Sequence, residues 1–390
     1  MKAFDNVETG VLLHKLKEFQ ITGNVGCWLA TFLDSGSRRQ AVAVDGRVSS
    51  LSPVISGIAQ GTVLGPVLFL IHIADIARVV SPSTTTTSFA DDTRAKRAIK
   101  DPVQDCTSLQ QDLGAIYSWA EDVNMKFNTD KFECLRYWPG RTTAPENNYH
   151  APDNAVIEEK DHLRDLGVEM SNDLSFSIHI QNTVTAASKL AGWALRTFRR
   201  RSKTLMLTIW KCIVQPKMDY CSQLWSPSDQ ASIAQLETVQ RHFTSKIVGM
   251  DGKDYWERLQ ELRLYSQERR RERYQIIFLF KLSQGLTQGY NIQFTTDARR
   301  GRLAQPKYVN WHAPATVRRA RESSLAVKGV KLYNLLPKAI RNHDAKKVDS
   351  FKTMLDNFLS SVADQLSVPG RVRAAQTNSL LHQIPMLDQN

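Results

Sequence analysis

Two adjacent carboxylates, Asp91 and Asp92, are the residues of this 390-residue chain best suited to chemistry. They follow a polar run rich in threonine and come about 25 residues after a glycine-rich loop at 57–66. Successive residues of a strand point to opposite faces, so at a tight turn between two strands the two carboxylates are not equivalent. We expect one of them to be the main metal ligand and the other to support it from the side. Hard carboxylate oxygens suit Mg²⁺, which retains water and binds substrate phosphates, so the pair predicts the metal half of a phosphoryl-transfer site.

The elements that must position these residues are short strands and amphipathic helices. Apolar periodicity predicts a helix over 101–124, and Pro66 in a first helical turn predicts a buried helix over 67–80. Alternating residues around Asp45-Gly46 predict a hairpin. Strands are also predicted at 131–138 and 163–169, followed by several helices from 178 to 286.

The composition is that of an ordinary globular protein. Hydrophobic residues make up 42% of the chain and charged residues 23%, which excludes wholesale disorder. Five scattered cysteines without a CxxC pair favour a reducing compartment over a disulfide scaffold. The one long apolar run, 63–76, is too short for a membrane span and includes His72 and Asp75. We therefore expect an intracellular protein, nuclear or cytoplasmic, without a membrane partner.

The net charge of +12 is unevenly distributed. Residues 1–194 carry 18 Lys/Arg and 23 Asp/Glu, whereas residues 195–331 carry 26 and 11. An acidic first half beside a basic second half fits metal chemistry in one part and polyanion binding in the other. The arginines at 199–201 and 269–273 are the candidates for phosphate contact, and solvated helix faces would explain the same spacing.

The order of the motifs resembles the palm of a reverse transcriptase. A KAFD stretch at 2–5 precedes the GIAQGTVLGP loop at 57–66 and the FADD turn at 89–92. The resemblance continues in order through residues 125–131, 163–167, 220–227, 263–271, 332–337 and 350–352. More narrowly, the set is similar to the enzymes of non-LTR retrotransposons of the jockey and chicken-repeat type. An isolated Asp-Asp pair would carry no such inference, but this ordered set covers nearly the whole chain.

The resemblance implies an α+β fold with the right-hand polymerase architecture. A partial palm, a small antiparallel sheet with flanking helices, is expected over 1–145. A connecting hairpin and primer-grip region would follow over 146–178, and a helical, basic thumb over 179–290. Residues 291–390 would form a mostly helical C-terminal extension with a frayed tail. The fingers are expected to be largely absent.

The resemblance also implies roles for individual catalytic residues. Asp91, as the main ligand, and Asp92 would bind Mg²⁺, and Lys131 would protonate the leaving pyrophosphate. Taken alone, Lys131 would equally be a surface charge at the start of a strand.

The substrates implied are an RNA template, a DNA primer or RNA–DNA hybrid, and deoxynucleoside triphosphates. Phe4 would lie under the incoming sugar and reject a 2′-hydroxyl, although alone it would be read as a core residue. Gln60 and Gly61 would approach the nascent base pair, because glycine lets a backbone come close to nucleic acid. Leu166 and Gly167 would grip the primer end. An ordinary loop leading into a helix is the alternative for the glycine-rich segment.

The chain departs from the family pattern at its first residues. The family places a second catalytic aspartate five residues before the phenylalanine of KAFD, and Phe4 is preceded by only three residues. Asp5 is expected to cap the first helix and not to replace that aspartate. We therefore expect an N-terminally truncated RNA-directed DNA polymerase, built for two-metal nucleotidyl transfer but impaired.

Two other hypotheses about the function of the chain remain open at this point. The chain could be a catalytically inactive relic that binds RNA or RNA–DNA hybrid through its basic thumb. It could also be an unstable leftover of a degraded element.

Overall fold

The structure is a computed structural model that describes residues 3–137, 147–289, 292–305, 312–343, 347–365 and 378–387. The chain divides into two compact units, the first made of residues 1–134 and 142–159, the second of residues 135–141 and 160–390. Both combine helices with small sheets, which agrees with the predicted mixture and is consistent with a reverse transcriptase fold. The division into palm, grip and thumb stays a prediction.

The first unit combines helices with very short strands. Its α-helices are α1 (Thr9–Glu18), α2 (Gly23–Leu33), α3 (Gly65–Ile73) and α4 (Pro102–Asp122). Its strands are β1 (Arg39–Gln40), β2 (Ala43–Val44), β3 (Arg47–Val48), β4 (Ser52–Pro53), β5 (Thr84–Phe89), β6 (Asp92–Arg97), β7 (Glu133–Cys134) and β8 (Glu158–Glu159). Among the described residues these strands pair two by two: β1 with β4, β2 with β3 and β5 with β6 are antiparallel, and β7 with β8 is parallel.

Local sequence signals account for several of these elements. The helix predicted over 101–124 is α4, which begins where the Asp101 side chain accepts hydrogen bonds from the Val103 and Gln104 N–H groups. The predicted hairpin is formed by β2 and β3, whose two turn residues, Asp45 and Gly46, both have positive φ (48° and 77°). A two-residue hairpin turn of this kind matches the twist of the strands it joins.

Three predictions about the first unit need correction. Asp5 lies inside a 3-10 helix (Ala3–Asn6), and the N-cap of α1 is Glu8, whose carboxylate accepts from Gly10 and Val11. The helix predicted over 67–80 begins at Gly65, ends at Ile73 and continues as a 3-10 helix, Ala74–Arg78. The strand predicted from Lys131 is β7 alone, because residues Thr129–Lys131 form a 3-10 turn; Trp138 lies outside the described residues.

The core of the first unit forms where α1, α3 and α4 meet. Leu12 and Leu16 of α1, Leu68 and Phe69 of α3 and Trp119 of α4 are almost completely buried there. Burial of apolar surface of this kind contributes roughly 25 cal/mol per Å². Ala95 of β6 packs against this core, which links the β5–β6 hairpin to it.

The second unit is mainly helical. Its strands are β9 (His162–Asp165), β10 (Val168–Ser171), β11 (Phe294–Asp297) and β12 (Gly301–Ala304), paired as two antiparallel hairpins. Its helices are α5 (Ser177–Thr197), α6 (Lys203–Ile209), α7 (Gln215–Asp219), α8 (Ser222–Trp225), α9 (Gln230–Thr244), α10 (Tyr255–Leu262), α11 (Gln267–Ser283), α12 (Ala315–Ser323), α13 (Val330–Leu335), α14 (Lys338–Arg341), α15 (Val348–Leu359) and α16 (Leu380–Leu387). Short π-helical turns precede α7 and α13. No helix within the described ranges is both long and apolar enough to cross a membrane.

Two hydrophobic cores lie in the second unit. One gathers residues of α5 to α10, including Trp210 and Phe243, and the other gathers residues of α11 to α16, including Phe280 and Phe351. The strand predicted at 163–169 is instead the hairpin β9–β10. The frayed tail is not observed at Leu380 to Leu387, where Leu380 is fully buried; residues 366–377 and 388–390 lie outside the described part of the chain.

Candidate active site

The predicted Asp-Asp turn is present at the tip of the β5–β6 hairpin. Phe89 pairs with Asp92 across the two strands, so Ala90 and Asp91 alone form the connection. Ala90 has a φ of 51°, a left-handed conformation that is unusual for a residue with a Cβ atom. Asp91, Asp92 and the Phe89 ring are exposed. Both carboxylates can therefore reach a ligand in solution.

The base of the same hairpin is tied to α4 by a polar network. Asp112, buried on α4, accepts hydrogen bonds from Thr84 Oγ1 at 2.5 Å and from the Ser81 N–H and hydroxyl groups at 2.8 and 2.7 Å. Burial alone would raise the pKa of Asp112, but these hydrogen bonds outweigh it and lower that pKa. The network fixes where β5 starts.

Arg97 closes the network from the end of β6. Its Nε donates to Asp105 Oδ1 at 3.0 Å, and its Nη1 lies 3.6 Å from Asp112 Oδ2. The N–H groups of Asp101 and Lys100, together with Arg97, lower the pKa of Asp105 to about 2. Sequence reasoning missed this anchor. Its signal was the spacing of Asp105 and Asp112, two helical turns apart on one face of α4.

The glycine-rich loop packs against the 3-10 helix at the start of the chain. Ile58 N–H donates to the Phe4 carbonyl at 2.9 Å, and Gln60 Nε2 donates to Asp5 Oδ1 at 2.7 Å. Gly57 has a φ of 88°, and a Cβ atom there would lie 2.8 Å from the Asp5 Cα atom. The close backbone approach at Gly57 is therefore made to this chain itself.

Gln60, Gly61, Phe4 and Lys131 occupy different surroundings within the first unit. Gln60 and Gly61 are exposed, and Gly61 has a φ of 80° with open space where a Cβ atom would stand. The half-buried Phe4 ring stacks on Phe69 at 4.5 Å between centroids. Lys131 is exposed in the turn before β7. The hydrogen bonds join Phe4 and Asp5 to the glycine-rich loop, whereas Lys131 lies on a separate turn.

The predicted primer-grip residues form the tip of the β9–β10 hairpin in the second unit. Leu166 and Gly167 have φ values of 44° and 85°, so both turn residues are left-handed. The hydroxyl of Tyr220 donates to the Leu166 carbonyl at 2.8 Å, and the ring lies against Gly167. A Cβ atom at Gly167 would stand 3.3 Å from Tyr220 Cε1. Tyr220 is a positioning residue that the sequence analysis recognised only as part of a motif.

The prediction that arginines 269–273 contact phosphates is wrong, as is the alternative of a solvated face. Arg269 is fully buried and donates to the carbonyls of Val362 and Ala363. Arg271 is also buried, with its guanidinium over the Trp225 ring. These two side chains hold α11 inside the second unit.

The two remaining arginines of this run are also committed within the unit. Arg270 makes a paired contact with the Asp219 carboxylate, its Nη2 lying 2.7 Å from Oδ2. Arg273 bonds to both oxygens of Asp356. In contrast, Arg199 and Arg200 are exposed between α5 and α6, so their phosphate contact stays a prediction.

Comparison with known proteins shows which family and which proteins this chain is similar to. Residues 1–170 match the family model of the reverse transcriptases, the RNA-dependent DNA polymerases. The chain is 26% identical over 257 residues to the RNA-directed DNA polymerase from mobile element jockey of Drosophila melanogaster, covering 64% of this chain and 27% of that protein. It is 25% identical over 263 residues to the jockey polymerase of Drosophila funebris, with the same shares covered. A probable RNA-directed DNA polymerase from the X-element of Drosophila melanogaster matches at 26% over 256 residues, 64% of this chain and 28% of that protein.

These matches identify residues 1–170 as a reverse transcriptase domain. More particularly, the chain is similar to the polymerases of jockey-like non-LTR retrotransposons, which confirms the predicted resemblance. The chain spans about a quarter of the length of the curated relatives it matches.

Proposed function

We propose that this domain serves as the palm of an RNA-directed DNA polymerase and that Asp91 is its main metal ligand in the described chain. The observation that carries the proposal is the β5–β6 hairpin, whose two-residue turn exposes Asp91 while its base is fixed to α4. A carboxylate that binds the metal ion of a nucleoside triphosphate must be exposed to solvent, and the hairpin that carries it must be held rigidly by the rest of the fold. The family match supplies the reaction class.

The donor set at this tip fits Mg²⁺. The family generally uses divalent metal ions, and Mg²⁺ is commonly bound by one or two carboxylates together with substrate phosphates and water. Asp91 and Asp92 offer such a pair on adjacent exposed residues. No group of three or more His, Cys, Asp or Glu residues that could hold a metal occurs in the described part of the chain. When bound, the metal would stabilise charge on the transferring phosphoryl group.

The other residues of the first unit would position the substrates. Phe4 is held by its stack on Phe69, so its ring is a fixed surface for an incoming sugar. Gln60 and Gly61, linked to Asp5 by the Gln60 amide, would lie along the nascent base pair. Lys131 would donate a proton to the leaving pyrophosphate, a role for which its exposed ammonium is free to extend.

The second unit would hold the nucleic acid. The Leu166–Gly167 turn, supported by Tyr220, would contact the primer end, and the helical residues 179–290 would act as the thumb. RNA template, DNA primer and deoxynucleoside triphosphates are the partners we propose, because the relatives are named as RNA-directed DNA polymerases.

The test is the Asp91→Asn variant, with Asp122→Asn as its matched control. Asp122 is an exposed carboxylate at the end of α4, outside the hairpin. Mn²⁺ binding in the presence of dTTP is expected to weaken at least tenfold in Asp91→Asn and to stay unchanged in the control. Any primer extension on oligo(dT)–poly(rA) with Mg²⁺ should fall by about 10²-fold or more. Equal Mn²⁺ affinities in the wild type and Asp91→Asn would contradict the proposal.

A second candidate function is nucleic-acid binding without polymerisation. The exposed Arg199 and Arg200 favour it, since they adjoin the helical part of the second unit and are available to phosphates. Binding of an RNA–DNA hybrid would then depend steeply on salt and would be the same in wild type and Asp91→Asn. Loss of hybrid affinity in Arg199→Gln/Arg200→Gln, with no metal dependence at Asp91, would establish this function instead.

A further inference from the structure

A second concentration of positive charge lies after the predicted thumb. Residues 292–343 contain eleven Lys or Arg residues and only two acidic ones, Asp297 and Glu322, a formal charge of +9 within a total of +12. None of the residues assigned above to polymerase chemistry falls in this segment. Its charge is therefore not explained by the proposed function.

Part of this charge is displayed on the β11–β12 turn, residues 297–302, which we name the arginine turn. The Asp297 carboxylate accepts hydrogen bonds from the Arg299 and Arg300 N–H groups at 2.9 and 2.6 Å. These contacts fold the connection tightly between the strands and leave the two guanidinium groups outside. Arg299 is exposed, and the Arg300 side chain is 74% exposed.

The arginine turn is held by hydrogen bonds to residues at both ends of α14. Asn342 Oδ1 accepts from the Arg302 N–H at 2.7 Å, and Lys338 Nζ donates to the Ala298 carbonyl at 2.9 Å. Gly301 has a φ of 77°, and a Cβ atom there would lie 2.5 Å from Asn342 Oδ1. The backbone conformation of the turn therefore requires glycine at position 301.

A buried arginine completes the support. Arg341 is 6% exposed, and its guanidinium donates to the carbonyls of Arg300 and Arg302, both at 2.6 Å, and to that of Leu336 at 2.8 Å. All three of these acceptors are neutral, so its charge is not cancelled by them. Burial lowers the pKa of Arg341, and repulsion from Arg300 adds to this effect.

Positive charge predominates at the arginine turn. Four cationic side chains, Arg299, Arg300, Lys338 and Arg341, belong to the turn or bond to its backbone, and among the described residues Asp297 is the acidic residue of the turn, with its Oδ1 4.0 Å from Arg300 Nε. Like charges gathered on a rigid support repel one another, and an anion placed over the turn would relieve that repulsion. Each exposed guanidinium presents a planar fork of donors that can bind a phosphate group.

We propose that the arginine turn is a binding site for the phosphodiester backbone of nucleic acid, made of residues other than those assigned to polymerase chemistry and independent of base sequence. Backbone contact is the chemistry that exposed arginines on a rigid hairpin can provide, since phosphates carry no sequence information. The proposal does not rest on polymerase activity. It gives a role to the C-terminal region that the motif resemblance left without one.

The test is the full-length chain carrying Arg299→Gln/Arg300→Gln, measured for binding to a short fluorescein-labelled RNA–DNA duplex by anisotropy. Each phosphate contact contributes about 0.9 to the slope of log K against log [salt], so losing two contacts should lower the slope by about 2 between about 50 and 200 mM KCl. Affinity should fall on the order of tenfold at the middle of that range. Arg299→Lys/Arg300→Lys keeps both charges and should retain the slope.

The matched control is Lys17→Gln/Arg47→Gln, which removes two exposed charges from the first unit. Its slope should equal that of the wild type. The proposal is overturned if the Arg299/Arg300 variant keeps the wild-type slope, or if the control loses as much. It is also overturned if the variant loses binding to phosphatidylserine vesicles while its duplex binding is unchanged. Equal thermal melts by circular dichroism would show that both variants are folded.

Discussion

His72 gives the first unit a pH-dependent stability that one substitution should remove. The side chain lies fully buried on α3, and within the described residues neither ring nitrogen has a hydrogen-bond partner. The groups that face it are Lys15, whose Nζ donates to the His72 carbonyl and to Asp75 at 2.7 Å, and the carboxylates of Asp75 and Glu8. Burial, with repulsion from Lys15, lowers the pKa of His72 from 6.5 to about 4, against the opposing effect of the two carboxylates.

The direction of the pH effect follows from where protons bind. Between pH 6.5 and 4 the unfolded chain takes up a proton on His72 while the folded chain does not, so stability falls as the pH falls. The shift to about 4 corresponds to roughly 3 kcal/mol when the loss is complete. At pH 5 the expected loss is about 2 kcal/mol relative to pH 7. A His72→Leu variant should lack this term, and at pH 7 it should be as stable as the wild type or more so, because it removes unpaired buried nitrogens.

The assay is urea unfolding at pH 7 and pH 5, followed by hydrogen-exchange mass spectrometry of peptides from α1 and α3 with a pulse at one common pH. The control is His14→Gln, since His14 is an exposed histidine on α1 whose side chain is 76% exposed. The control should lose stability toward pH 5 as the wild type does, whereas His72→Leu should lose about 2 kcal/mol less. Parallel pH dependences in wild type and His72→Leu would refute the reasoning.

Two further predictions concern the second unit. Tyr220→Phe removes the hydrogen bond to the Leu166 carbonyl, worth about 0.5–1.5 kcal/mol, and should speed hydrogen exchange in the β9–β10 turn without changing that of α5; unchanged exchange at the turn would contradict it. Arg269→Met leaves two buried carbonyls without their donor and should destabilise the unit by about 2–4 kcal/mol in urea while leaving the salt dependence of duplex binding unchanged. A weaker salt dependence of duplex binding together with wild-type stability would instead show that Arg269 contacts phosphates.

The elements that the sequence predicted correctly depend on contacts made within a few residues. The start of α4 is set by Asp101 and the following proline, and the β2–β3 turn by Asp45-Gly46, so both signals lie inside the element itself. The turn at Ala90–Asp91 is different, because alanine is a poor residue for positive φ. That turn was found through the motif resemblance and not through turn chemistry.

The hydrogen bonds that hold the candidate site could not be predicted from neighbouring residues in the same way. Asp112 is an acidic residue on an amphipathic helix, where a charge usually marks the solvent side. It is buried because Thr84, Ser81 and Arg97 approach it from positions up to 31 residues earlier in the chain. A pattern of polar residues gives no information on which distant groups will satisfy them.

The partners of the charged residues in α11 were equally unpredictable from the sequence. The run of charges in this helix resembles an exposed basic surface, yet Arg269 and Arg273 bond to groups more than 80 residues away along the chain. A buried guanidinium is tolerated when most of its donors are satisfied: carbonyl groups accept from Nη1 and Nη2 of Arg269, and Asp356 binds Arg273, whereas Arg269 Nε has no partner among the described residues. The sequence does carry the charges, but their partners arise only when the C-terminal helices pack against α11.

Fewer Lys and Arg side chains are therefore available to a nucleic acid than the sequence contains. Residues 195–331 hold 26 Lys/Arg, but the run at 269–273 is committed to internal partners. Among the described residues of this segment, Arg199 with Arg200 and Arg299 with Arg300 are neighbouring arginines that are both exposed, each pair on a connection between elements. Because only charges that reach the duplex release its counterions, the salt dependence of binding should respond to these two pairs and not to α11. If both pairs contribute, their slopes should add, since the sites share no residue and make separate contacts.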